Sequence, residues 1–110
     1  MTLTPDAYPG QPLGHAANQC GHYAIGATLG LLVWPALGIA APVAVALAYG
    51  ALWEVWWKGL PDWRDGLEDT THVLCGAGVI VLALGMGWHG AIAGQIGWGF
   101  LLAIGVRRRR

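Results

Sequence analysis

Charge is what this sequence lacks over most of its length. Histidine apart, nothing ionises at neutral pH from Ala7 to Trp53, nor from Thr70 to Val106. Only 11% of the 110 residues are charged while 55% are hydrophobic, against about 25% charged in an ordinary soluble domain. This excludes a typical soluble fold and leaves one membrane-embedded domain. Cysteine is scarce too. Cys20 and Cys75 have no motif partners, which excludes a disulfide framework and a redox pair. Apposed histidines and carboxylates would suit a divalent metal, but no HExxH or close equivalent occurs, so no metal ligand and no cofactor is assigned. The formal net charge is zero, and no nucleic-acid partner is expected. The N-terminus has no Lys or Arg and no early apolar core, so a cleaved signal peptide is not expected either.

The missing charge is collected in one stretch. Residues 53–72, from Trp53 to His72, hold five of the six acidic residues and two of the six basic ones. The other four bases are the terminal run Arg107 to Arg110. Glycine (18) and tryptophan (7) are plentiful, which suits close-packed membrane helices with interfacial anchors.

Length arguments divide the apolar parts. Met1 to Leu13, with Pro5, Pro9 and Pro12, reads as an N-terminal arm. From Ala24 to Trp57 one straight helix would be roughly 50 Å long, and so would Val73 to Val106, against about 30 Å of hydrocarbon. Each must fold back, the first near Pro35 and Gly38 or as late as Pro42, the second within Gly85 to Gly90. The expected fold is therefore all-α: a transmembrane bundle of four spans in two helical hairpins over residues 14–106, followed by a basic tail, 107–110. A loop from Lys58 to about Gly66 would join the hairpins, with the third helix starting at Asp65 or Gly66. Lys58, Arg64 and the Arg tail fall on one side only if an even number of spans separates them, which places both termini in the cytoplasm.

At 100° per residue His15, Asn18, Gln19 and His22 share one helix face, and Asp65, Glu68, Asp69 and His72 share another. With Glu54 at similar depth, they imply a polar pocket at the cytoplasmic leaflet made by three helices. The plain reading of the histidines and amides is hydrogen-bonding glue, each bond contributing about 0.6 to 2 kcal/mol. For Glu54 it is a helix-end ion pair with Lys58, four residues on, whose charge snorkels outward. The functional reading makes Glu54 or Asp69 a general base, His22 or His72 an acid, and Arg64 a bidentate grip on a phosphate. His15, Asn18, Gln19, Asp65 and Glu68 would then complete the substrate-binding wall.

Tyr49-Gly-Ala-Leu-Trp-Glu54, then Gly59-Leu-Pro-Asp-Trp-Arg-Asp-Gly-Leu-Glu-Asp69 and Gly76-Ala77, resemble the VanZ-like membrane proteins. There a glutamate ends one span, a short Gly/Pro/Arg loop follows, and an acidic position opens the next span. The resemblance covers roughly Gly14 to Gly78 and carries over Glu54, Arg64, Asp69 and His22. It departs where that family has glutamine after the glutamate and asparagine after the aspartate; Trp57 or Lys58 and His72 or Val73 stand there instead. It implies a small polytopic protein of the bacterial inner membrane, host- or phage-encoded, that binds or processes a polar or phosphate-bearing envelope lipid. Membrane lipids are its implied partners, and a homo-oligomer is compatible with it. Two other readings fit the same residues: a phage holin-like pore, and a proton- or metal-ion-conducting subunit.

Overall fold

The structure, a computed structural model, describes Tyr8 and residues 10–59 and 62–110. Most of the expected N-terminal arm and the Leu60–Pro61 part of the expected loop lie outside the described residues. The order of elements is α1 (Pro12–Leu37), a 3-10 turn (Gly38–Ala40), α2 (Ala41–Tyr49), a π-helix (Gly50–Trp57) and α3 (Trp63–Arg108).

The all-helical expectation holds, but four separate spans in two hairpins do not. The described residues form two long helical runs, Pro12–Trp57 and Trp63–Arg108, each of 46 residues. Helical structure carries through both places where a hairpin turn was expected. The 3-10 turn bridges α1 to α2, and inside α3 only Gly87 leaves the helical region, with φ 66° and ψ −151°. Both runs are sharply bent: 46 residues of straight helix would measure about 69 Å, whereas the longest extent of the molecule is 38 Å. Beyond Gly87 the chain lies back on itself, with Gly94 against Val79 and Leu82.

Local chemistry explains the ends. Pro12 begins α1 and Pro42 lies in the first turn of α2, where the missing amide hydrogen costs nothing. Pro35 sits inside α1 without ending it; the break comes at Gly38, φ 53°. Asp62 caps α3 by accepting the Arg64 amide at 2.9 Å, so the helix starts at Trp63, two residues before the expected point. Arg107 and Arg108 form its last turn, where cations oppose the helix dipole favourably.

Two glycines set the distance between α1 and α3. A methyl group on Gly26 would overlap the Val73 carbonyl, and one on Gly76 would overlap the Tyr23 carbonyl. At this crossing Val45, Tyr49, Val73 and Ala77 form a small apolar core, flanked by Ile25, Val33 and Trp53.

The largest fully buried side chains are mostly polar: His15, His72, Gln19, Glu54 and Asp69, with Val73. Leu32, Ile39, Leu47, Trp56 and Phe100 are exposed. This reverses the soluble pattern. Both runs are long and apolar enough to cross a membrane, and only 17% and 28% of their most apolar windows are buried. The core helix of a soluble protein would be mostly buried. Apolar side chains thus face outward, as lipid requires.

Candidate functional site

The polar face of α1 lies against the start of α3, and the π-helix supplies Glu54 between them. Eight residues of this region are buried: His15, Asn18, Gln19, His22, Glu54, Asp65, Asp69 and His72. Burying so many polar groups away from water is costly unless each finds a partner. They separate into two groups.

The first surrounds Lys58. Its Nζ donates to Glu54, 2.9 Å from Oε2 and 3.2 Å from Oε1, and lies 3.5 Å from Asp69 Oδ2 and 3.7 Å from Asp65 Oδ2. Gln19 Nε2 donates to Asp69 Oδ1 at 2.8 Å, and His22 Nε2 is 3.4 Å from Asp69 Oδ2. The Tyr49 hydroxyl donates to Glu54 Oε1 at 2.8 Å. Burial by itself would lower the Lys58 pKa. The hydrogen bond to Glu54 and the charges of Glu54, Asp69 and Asp65 outweigh it, holding the ammonium above the ordinary lysine value. The expected Glu54–Lys58 pair therefore forms, but it does not snorkel; the Lys58 side chain is only 6% exposed.

The second group lies nearer the chain ends. Arg109 reaches Glu68 Oε2 at 2.9 Å and Oε1 at 3.3 Å, and also donates to the Gly105 carbonyl. His15 Nε2 is 3.4 Å from Glu68 Oε1 and 3.4 Å from Arg109. The Trp98 indole donates to His72 Nδ1 at 2.9 Å. His15 and His72 meet edge to face, with ring centroids 6.4 Å apart.

Arg64 belongs to neither group. Its guanidinium lies over the Trp63 ring, 5.4 Å from the centroid, so it does not sit beside Glu54 and Asp69 as expected. It lines instead a groove of about 370 Å³ with Trp63, Glu68, His72 and Arg108, closed by Leu67, Leu101 and Ile104. Among the described residues neither Arg64 nor Arg108 makes an ion pair. A second groove, of about 320 Å³, is lined by Gly50, Glu54, Val55, Gly66 and Thr70. Asn18 is buried with the others, but its Oδ1 has no hydrogen-bond partner, nor has Gln19 Oε1.

Sequence reasoning missed Tyr49, Trp98 and Arg109, and did not place Lys58 at the centre. Five residues apart, Tyr49 and Glu54 fall about 140° apart on an α-helix; an i to i+5 repeat puts them on one face. Trp98 and Arg109 had a faint signal, because reflection of α3 about Gly87 brings them towards His72 and Glu68. No protein-family model, curated protein or solved structure matches this chain.

Proposed function

We propose that this is a VanZ-like integral membrane protein that binds a phosphate-bearing lipid headgroup in the groove lined by Trp63, Arg64, Glu68, His72 and Arg108. The observation that carries this reading is a pair of exposed arginines, free of acidic partners among the described residues, at the mouth of a groove whose walls are leucine and isoleucine. Guanidinium groups favour phosphate through paired N–H donors. The apolar walls accept the start of an acyl or polyprenyl chain, and the volume falls within the usual range for ligand sites. His72 and Thr71 supply further polar atoms to the lining.

Two observations favour this reading over its rivals. An oligomeric pore needs a polar outer face, and here the polar side chains turn inward while the exposed faces are apolar. An ion conductor needs polar groups through the full depth, but the interior beyond His72 continues as Val73, Ala77 and Val79.

Native mass spectrometry of the full chain in detergent, with phosphatidylglycerol, a polyprenyl phosphate or a neutral diacylglycerol added, tests the reading. The two phosphate lipids should bind in preference to the neutral one. Arg64→Ala with Arg108→Ala should weaken them by about 10- to 100-fold for each guanidinium removed, the value of a charge-assisted hydrogen bond. Equal binding of all three lipids, or no effect of the double variant, would refute it.

A further inference from the structure

The three buried carboxylates around Lys58 are short of positive charge. Glu54, Asp65 and Asp69 are 2%, 7% and 2% exposed, and among the described residues their only cationic neighbour of fixed charge is Lys58. When all are ionised, three negative charges and one positive leave a deficit of two. One divalent cation makes that good.

The donors are also in place. One ligand atom each from His22, Glu54 and Asp69 lies within 4.8 Å of the other two, and the His22–Asp69 pair is at 3.4 Å. Two ligands of a tetrahedral ion, each about 2.1 Å away, stand about 3.4 Å apart. An independent feature points to an absent occupant. Gln19 is 1% exposed, and because a carboxylate only accepts, its bond to Asp69 fixes Nε2 on that side. Its Oε1, on the same carbon, is left without a donor. A bare acceptor oxygen on the buried side chain that holds Asp69 is what a cation would satisfy.

The other histidine-rich group offers a contrast. His15, Glu68 and His72 also bring one ligand atom each within 4.8 Å of the other two, but their chemistry is complete. The indole of Trp98 occupies His72 Nδ1, which leaves the proton of the neutral ring on Nε2 and removes that nitrogen as a ligand. The Arg109 guanidinium already balances Glu68.

We propose that His22, Glu54 and Asp69 form a binding site for a divalent transition-metal ion, with Gln19 Oε1 at its edge and Lys58 as a tethered cation that gives way to the metal. One imidazole with carboxylate and amide oxygens suits ions from Mn2+ to Zn2+ better than Mg2+ or Ca2+. On entry of the metal the Lys58 ammonium shifts from Glu54 to Asp65, already 3.7 Å away. The groove that Glu54 lines with Gly50, Gly66 and Thr70 is the route in. This inference does not depend on the lipid reading.

The test is a titration of the full chain, purified in detergent and stripped with EDTA, with Co2+ and Zn2+. The site should take up one equivalent of Co2+ and show d–d absorption with nitrogen and oxygen ligation. His22→Ala and Asp69→Asn should each weaken binding by at least about 100-fold, since even groups behind the ligands contribute about 10- to 100-fold. Lys58→Met, which removes the competing ammonium, should bind more tightly and gain more thermal stability from Zn2+ than the wild type does. A loss of fold cannot produce that gain. Absence of stoichiometric Co2+ binding by the wild type, unchanged binding in His22→Ala, or weaker binding in a Lys58→Met variant that keeps its helical circular-dichroism spectrum would each overturn the proposal.

Discussion

Lys58 Nζ lies 2.9 Å from Glu54 Oε2, with the two side chains 6% and 3% exposed. In a fold whose exposed surface is leucine, isoleucine and tryptophan, this pair lies at the junction of the π-helix and α3. Asp65 and Asp69 of α3 approach the same ammonium.

That junction makes Lys58 the side chain with most to lose. Lys58→Met leaves three carboxylates without a fixed counter-charge and should destabilise the fold by about 3–5 kcal/mol, as for other broken buried pairs. Glu54→Gln should cost less, because Lys58 keeps Asp69 and Asp65. The double variant should recover part of the Lys58→Met loss. Denaturation in mixed micelles provides the double-mutant cycle; strict additivity would contradict the direct pairing.

Glycines at the crossing and away from it should respond with opposite sign. Gly26→Ala and Gly76→Ala force a methyl group into the carbonyls of Val73 and Tyr23 and should cost about 1–3 kcal/mol, the usual penalty for overpacking. Gly78→Ala and Gly97→Ala meet nothing within 4 Å and should stabilise by up to about 1 kcal/mol through helix propensity. Unfolding midpoints of the four variants decide the matter; four shifts of the same sign would count against this crossing.

Gly87 is constrained by its backbone alone. A methyl group there would have nothing within 4 Å, yet φ is 66° and ψ is −151°, a region almost closed to other residues. Gly87→Ala should cost about 1–3 kcal/mol, whereas Gly85→Ala, also in open space, should not destabilise. Equal midpoints for the two would show that the reversal does not need this conformation.

Trp98 fixes a tautomer. With its indole donating to His72 Nδ1, the neutral His72 ring should carry its proton on Nε2, visible in the nitrogen chemical shifts of labelled protein. Trp98→Phe should release that preference and cost about 1–3 kcal/mol, because a buried acceptor loses its donor. A wild-type ring protonated on Nδ1 would refute the hydrogen bond.

Some of this was legible in the sequence, because helix periodicity is a local property. His15, Asn18, Gln19 and His22 had to share one face, and Asp65, Asp69 and His72 another, once both segments were helical. Nothing local could reveal the π-helix, so Tyr49 was not seen to join Glu54. Nor could it show that helical structure would run on through Gly38 and Gly87 where hairpin turns were expected. Arg64 shows the limit of motif reasoning: it stands in sequence among the acids, yet the turn of α3 aims it onto Trp63 and away from Asp69.

The sequence by itself determined that the chain is helical, that its apolar faces turn outward, and that its few charges fall near one region, because composition and a 3.6-residue period require only neighbours along the chain. The tertiary structure alone decided that Lys58 sits at the centre of three carboxylates, that Trp98 and Arg109 return to His72 and Glu68, and that Arg64 faces a separate groove. Those pairings depend on how the π-helix meets α3 and on the reversal of α3 at Gly87, which bring together residues that are distant in sequence.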